Sequence, residues 1–142
     1  MEVNLDHLTN IINLEYMLRI LIAVIFGFCI GLERELTNKY AGLRTHILVC
    51  LGACVFTLIS IYGFPTFATG DNVIVDQATG IRDTSRVAAQ IVTGIGFIGA
   101  GTVLRNGPIV LGLTTAATLW ITSTICFACG AGMYEKALAG NN

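Results

Sequence analysis

Apolar residues are gathered into four blocks along the chain, and the charged residues are concentrated between them. Val87–Leu104 and Asn106–Tyr134, for example, contain no Asp, Glu, Lys, Arg or His. A helix rises about 1.5 Å per residue and a bilayer core is roughly 30 Å thick, so about 20 residues span it. With their flanks included, the blocks predict four transmembrane helices, at Tyr16–Leu32, Ile47–Gly63, Arg86–Leu104 and Leu111–Tyr134.

The segment before the first block has a different pattern. Residues 1–15 carry apolar side chains at roughly helical spacing among acidic residues, which predicts a short helix lying at the membrane interface. The first block has no basic start and no small-residue cleavage site, so we expect it to remain in the mature protein. Glu15 and Arg19 are spaced for an ion pair, from which Arg19 is expected to extend outward. The predicted organisation is an interfacial segment at 1–15, a membrane domain at 16–134 and a short tail at 135–142.

Composition supports the same class. Of 142 residues, 54% are hydrophobic and 12% are charged, against roughly 25% charged in soluble domains. The net charge is −1 and there is no basic run, so nucleic-acid binding has no electrostatic support. We therefore predict an all-α polytopic membrane bundle of four helices.

Loop charge suggests an orientation. The first loop contains Arg34, Lys39 and Arg44, whereas the segment before the first helix is acidic. By the positive-inside rule the first loop lies in the cytoplasm and the N-terminus lies outside. The turn-rich, acidic loop 64–85 then falls on the outer side.

Four motifs occur in order along the chain: GLERE at 31–35, AGLRTH at 41–46, RVAAQIVTGIGFIGAG at 86–101 and GLTTAATLW at 112–120. Together they resemble the MgtC/SapB family over about residues 18–133. The resemblance implies a multi-pass protein of the bacterial inner membrane that acts in adaptation to magnesium limitation and, in pathogens, in virulence.

Further expectations come from this resemblance. It implies a regulator more than a pump, with the F-type ATP synthase as the partner of some relatives. Because four helices enclose little space, we also expect a homo-oligomer, with a dimer favoured. The fifth membrane helix and the soluble C-terminal domain of longer members are expected to be missing here. Thr114 and Ile121 stand where the virulence branch has Asn and Cys.

Charged and polar residues of the motifs are candidates for binding. Opposite charges in the first loop can pair at one membrane face, and the alternative reading is an ordinary interfacial cluster that sets topology. Asp83 and Arg86, at the start of the third helix, are also read as a structural cap. The binding candidates are Glu33, Arg34, Glu35, Lys39, Arg44, Thr45, Asp83, Arg86 and Gln90.

Glycine is concentrated in the third helix. In membranes small residues let helices approach closely, and tight packing is the first interpretation; the second is a broken helix whose carbonyls line a cavity. In the fourth helix a row of hydroxyls predicts a polar seam facing the third helix, where the Trp120 indole finds an oxygen. The packing or cavity candidates are Gly27, Gly31, Gly94, Gly96, Gly99, Gly101, Thr114, Thr115 and Trp120.

Five cysteines and two histidines complete the inventory of reactive groups. The cysteines fall in opposite halves of the predicted helices, so we expect small buried apolar residues, with no disulfide and no metal site. His46 is expected at the interface. We predict no cofactor and no catalysis, because the sequence contains no recognisable catalytic arrangement.

Two functions remain open. The first is a regulatory module that contacts another membrane complex. The second is an oligomeric transporter or channel for Mg²⁺ or another ion; Mg²⁺ prefers oxygen ligands, and no carboxylate is placed deep in a predicted helix.

Overall fold

The computed structural model of this chain describes residues 5–63 and 85–140. This part is mainly helical and contains one small hairpin. Three of its helices are long and apolar enough to cross a membrane, over Asn13–Leu36, Leu43–Tyr62 and Leu113–Gly130. In chain order the elements are α1 (Leu5–Leu36), α2 (Leu43–Tyr62), α3 (Ser85–Thr102), β1 (Leu104–Asn106), β2 (Ile109–Leu111), α4 (Leu113–Gly130) and α5 (Tyr134–Ala139).

Each predicted helix is present, but the ends differ. α1 is continuous from Leu5, so the predicted interfacial segment joins the first span without a break. α2 begins at Leu43, four residues earlier than expected, which places the AGLRTH motif at its start. The predicted tail contains most of α5.

A two-stranded antiparallel hairpin separates α3 from α4, where the sequence pattern had extended both helices. Asn106 pairs with Ile109, so the loop is Gly107 and Pro108. Gly107 has φ +62°, and glycine followed by another residue suits the tight turn of a two-residue hairpin. Gly112, at φ +83°, then starts α4 in the left-handed region, where a Cβ would strike the Thr102 carbonyl.

The core lies among α1, α2 and α4. Glycines bring these helices together: a Cβ on Gly27 would lie 2.9 Å from Cys50 Cβ, and one on Gly31 would lie 2.8 Å from Leu43 Cα. At the far end of α4, a Cβ on Gly130 would lie 2.8 Å from the Cys54 carbonyl oxygen. The backbones thus approach more closely than side-chain-bearing residues allow.

α3 packs at the edge of this core. Its buried residues are Ile95 and Gly99, and a Cβ on Gly99 would be 3.5 Å from Ala116 Cβ of α4. The rest of its surface is largely exposed. The helix is continuous through all four glycines, so the second interpretation, a broken helix, is wrong.

We expect Gly31→Ala to lower the stability of the purified protein by about 1–3 kcal/mol, because the new methyl group meets the backbone of Leu43 and the helices must separate. The control is Gly96→Ala, where nothing lies within 4 Å of the added Cβ; it should be neutral or gain up to about 1 kcal/mol in helix propensity. Thermal unfolding in detergent measures both. Equal melting temperatures would contradict the close approach of α1 and α2.

Candidate functional site

The loop from α1 to α2 is closed by Glu35. Its carboxylate oxygen Oε2 accepts a hydrogen bond from the backbone N–H of Leu43 at 2.9 Å, which satisfies one of the unpaired donors at the start of α2. Gly42 leaves the room for this contact, because a Cβ there would strike the carboxylate. Glu35 therefore acts in the structure as a helix cap.

Arg34 points into the bundle and not into the loop. Its side chain is buried, and Nη2 donates to the Thr114 carbonyl oxygen at 3.1 Å and to the Thr118 hydroxyl. Thr118 in turn donates to the same Thr114 carbonyl at 2.8 Å. The Thr118 hydroxyl thus faces α1, and the predicted seam toward α3 is wrong at this residue.

The other charged residues of the first loop remain at the surface. Glu33, Lys39 and Arg44 are exposed, and within residues 5–63 and 85–140 none of them forms an ion pair. The predicted pairing of opposite charges is therefore wrong for the described residues, since Glu35 and Arg34 are engaged by helix backbone instead. Thr45 is half-buried on α2.

His46 is fully buried, which corrects the expectation of an interface position. Its Nδ1 bonds the Gly42 carbonyl at 2.8 Å, and its Cβ lies opposite Gly31. His46 therefore belongs to the packed contact between α1 and α2.

A second buried arginine lies at the opposite end of the bundle. Arg19 Nη1 donates to the Gly130 carbonyl oxygen at 2.9 Å, and the predicted ion pair with Glu15 is present. The guanidinium carbon lies 5.6 Å from the centre of the Tyr62 ring, within cation–π range. Arg19 thus turns inward to the end of α4, where the sequence predicted an outward direction. The sequence signal for this buried arginine is a charged residue next to an apolar span.

α2 and α4 are joined by a disulfide between Cys50 and Cys126, contrary to the prediction. Cys50 lies near the start of α2 and Cys126 past the middle of α4, so the two helices are displaced along the bundle axis. Counting residues from the predicted helix ends could not detect this displacement. Cys54 and Cys129 are buried thiols as expected, whereas Cys29 is exposed.

Apart from the buried Gly99, the α3 candidates do not pack in the core. Gln90, Gly94, Gly96 and Gly101 are exposed, and nothing lies within 4 Å of a Cβ built on any of the three glycines. Tight packing within one chain is therefore wrong for these positions.

The remaining candidates are spread over three regions. Arg86 is exposed in the first turn of α3, and Asp83 lies outside the described residues. Thr115 is buried in α4, while Trp120 is half-exposed, and its indole forms no hydrogen bond within the described residues. The predicted partner oxygen for this indole is absent there. The described histidines, cysteines and carboxylates form no cluster able to hold a metal ion.

Three long apolar helices, held by buried arginines and close glycine contacts, define an α-helical membrane protein. The chain belongs to the MgtC family, whose sequence model matches residues 20–141. This confirms the resemblance carried by the four motifs.

Three relatives show the extent of the likeness. Protein MgtC of Salmonella typhimurium is 44% identical over 124 residues, which are 87% of this chain and 47% of the relative. "Putative magnesium transporter YhiD" of Escherichia coli K12 is 43% identical over 127 residues, 89% of this chain and 56% of the relative. Protein SapB of Bacillus subtilis is 40% identical over 129 residues, which are 88% of this chain and 51% of the relative. The chain spans about half the length of these relatives, none of whose names is that of an enzyme. No solved structure matches the chain.

We expect Arg34→Met to destabilise the protein by about 1–3 kcal/mol, because it removes charge-assisted hydrogen bonds between α1 and α4. The matched control is Arg44→Met, which changes an exposed arginine and should stay within about 0.5 kcal/mol of wild type. Unfolding in detergent, followed by circular dichroism, measures both. Similar losses of stability in the two variants would argue against the proposal that Arg34 stabilises the contact between α1 and α4.

The disulfide fixes the number of free thiols that we expect before and after reduction. Protein extracted with a thiol-blocking reagent and denatured without reductant should take up three alkyl groups, and five after reduction, as read by intact mass. Cys50→Ser should raise the unreduced count to four because Cys126 loses its partner. Five alkyl groups on the unreduced wild type would exclude the bond.

Proposed function

We propose that this chain is a membrane module of the MgtC type that acts in adaptation to magnesium limitation and ion homeostasis through regulatory contacts with other membrane complexes. The F-type ATP synthase is the first partner to test. In this proposal the protein lies in the bacterial inner membrane with its N-terminus outside, α3 forms a fourth span, and the chain has no catalytic activity.

The observation that carries the proposal is an exposed row of small residues on α3. Ala89, Thr93, Gly96 and Ala100 recur at spacings of four, three and four residues, so they share one face of the helix. The Thr93 hydroxyl donates to the Ala89 carbonyl at 2.9 Å, so its polar group is already satisfied. We call this row the α3 outer stripe.

Small residues in this arrangement favour close contact with another membrane helix. In lipid, helices associate through van der Waals packing, and small side chains let the backbones approach. In the core of this protein the same residue type is used in that way at Gly27 and Gly31. A helix of a partner complex, or of a second copy in a homodimer, fits the α3 outer stripe.

Ion transport is the alternative, and the name of the relative YhiD, a putative magnesium transporter, favours it. Mg²⁺ requires oxygen ligands, most often carboxylates. Within the described residues the buried charged side chains are Arg19 and Arg34, which are cations and repel Mg²⁺. The unbroken α3 offers no freed carbonyls for a path. These features favour regulation over conduction through a single chain.

The α3 outer stripe is tested by Gly96→Leu in a strain that lacks its own copy of the gene. The leucine has open space within the chain, so the variant should fold, yet it should lose both the co-purifying membrane complex and growth at low magnesium. The control, Cys29→Leu, enlarges an exposed position on α1 and should keep both. Affinity purification from native membranes and growth curves provide the measurements.

A second experiment distinguishes a regulatory protein from a transporter. Purified protein in liposomes should pass no Mg²⁺. Mg²⁺ entry with the pure protein, together with unchanged complexes in the Gly96→Leu strain, would replace the regulatory proposal by the transport alternative.

A further inference from the structure

An apolar groove of about 510 Å³ runs between α2 and α3. Leu48, Gly52 and Phe56 form one wall, Ile91 and Ile98 belong to the other, and Ser123 of α4 contributes to the lining. This α2–α3 groove lies on the opposite side of α3 from the outer stripe that the proposed partner uses. It is therefore a separate surface from that stripe.

The size of the groove favours a thin occupant. On α2 it extends from Thr45 to Phe56, a rise of about 16 Å along the helix. A helix with side chains is about 10 Å wide or more, whereas a hydrocarbon chain is much thinner. A single hydrocarbon chain therefore lies between the two walls more readily than a transmembrane helix does.

Two glycines on facing walls keep the groove open. A Cβ built on Gly52 of α2 or on Gly94 of α3 meets nothing within 4 Å. Both glycines therefore border free space, and a larger side chain at either position would project into the groove.

One end of the groove carries a positive charge. Arg44 is exposed and forms no ion pair within the described residues. It directly precedes Thr45, where the α2 wall of the groove begins, and lies one turn before Leu48 on the same side of the helix. The start of α2 adds the positive end of the helix dipole. An anionic group attached to a hydrocarbon chain would be complementary to both parts.

We propose that the α2–α3 groove is a binding site for an anionic glycerophospholipid, with one acyl chain between Gly52 and Gly94 and the phosphate group at Arg44. Arg44 then selects the headgroup, while the two glycines admit the chain. This site goes beyond the regulatory role and does not depend on it.

The test is native mass spectrometry of the full chain purified in detergent and supplied with phosphatidylglycerol or phosphatidylcholine of identical acyl chains. Wild type should retain one phosphatidylglycerol, with about five-fold preference over phosphatidylcholine, the equivalent of about 1 kcal/mol for a basic side chain at an anionic headgroup. Gly94→Leu should reduce the retained lipid at least ten-fold. Arg44→Gln should bind the two lipids equally.

Gly96→Leu is the matched control, because it places the same side chain two residues away, outside the groove, in equally open space. It should retain lipid as wild type does. Gly52→Leu fills the groove from the opposite wall and should repeat the loss, which guards against a folding defect peculiar to Gly94→Leu. Undiminished lipid in both groove variants, or no lipid on wild type, would overturn the proposal. Wild-type dimers without lipid that dissociate in Gly94→Leu would assign the groove to a second copy instead.

Discussion

α1 and α4 are held against each other by an arginine at each end. A guanidinium group stays protonated, so its burial is tolerated only where hydrogen-bond acceptors are supplied. Arg34 binds the Thr114 carbonyl near the start of α4, and Arg19 binds the Gly130 carbonyl at its end. The two arginines are separated by about 22 Å of helix. Because each needs its own acceptor, α1 can neither slide nor rotate on α4 without leaving a buried charge unpaired.

α2 is held against both of these helices by contacts of its own. Gly27 and Gly31 bring α2 onto α1, the Cys50–Cys126 disulfide joins it to α4, and Glu35 caps its first turn. These contacts use backbone atoms, small residues and one covalent bond, so they leave little freedom in the three-helix core. A rigid core of this kind is suited to presenting a surface, which is the role that the regulatory proposal assigns to it.

α3 has fewer contacts with the rest of the bundle than the three core helices have. It rests on the core through Ile95 and Gly99, and most of its surface is exposed. On one side of it lies the outer stripe of small residues, and on the other lies the apolar α2–α3 groove. The glycines that weaken α3 as a helix thus leave room on both sides, and the two proposals assign that room to different molecules.

The sequence by itself determined the class of protein, the four long helices and the family, because segment length, hydropathy and motif order are local properties. It missed the hairpin between α3 and α4, although Gly107 and Pro108 are local turn signals. It could not determine that Arg34 and Arg19 turn inward, that Cys50 meets Cys126, or that the glycines of α1 are packed while Gly94 and Gly96 are open. These outcomes depend on the rotation and axial displacement of each helix relative to its neighbours. Only the tertiary structure decided them, since both quantities are set by contacts between residues far apart in the chain.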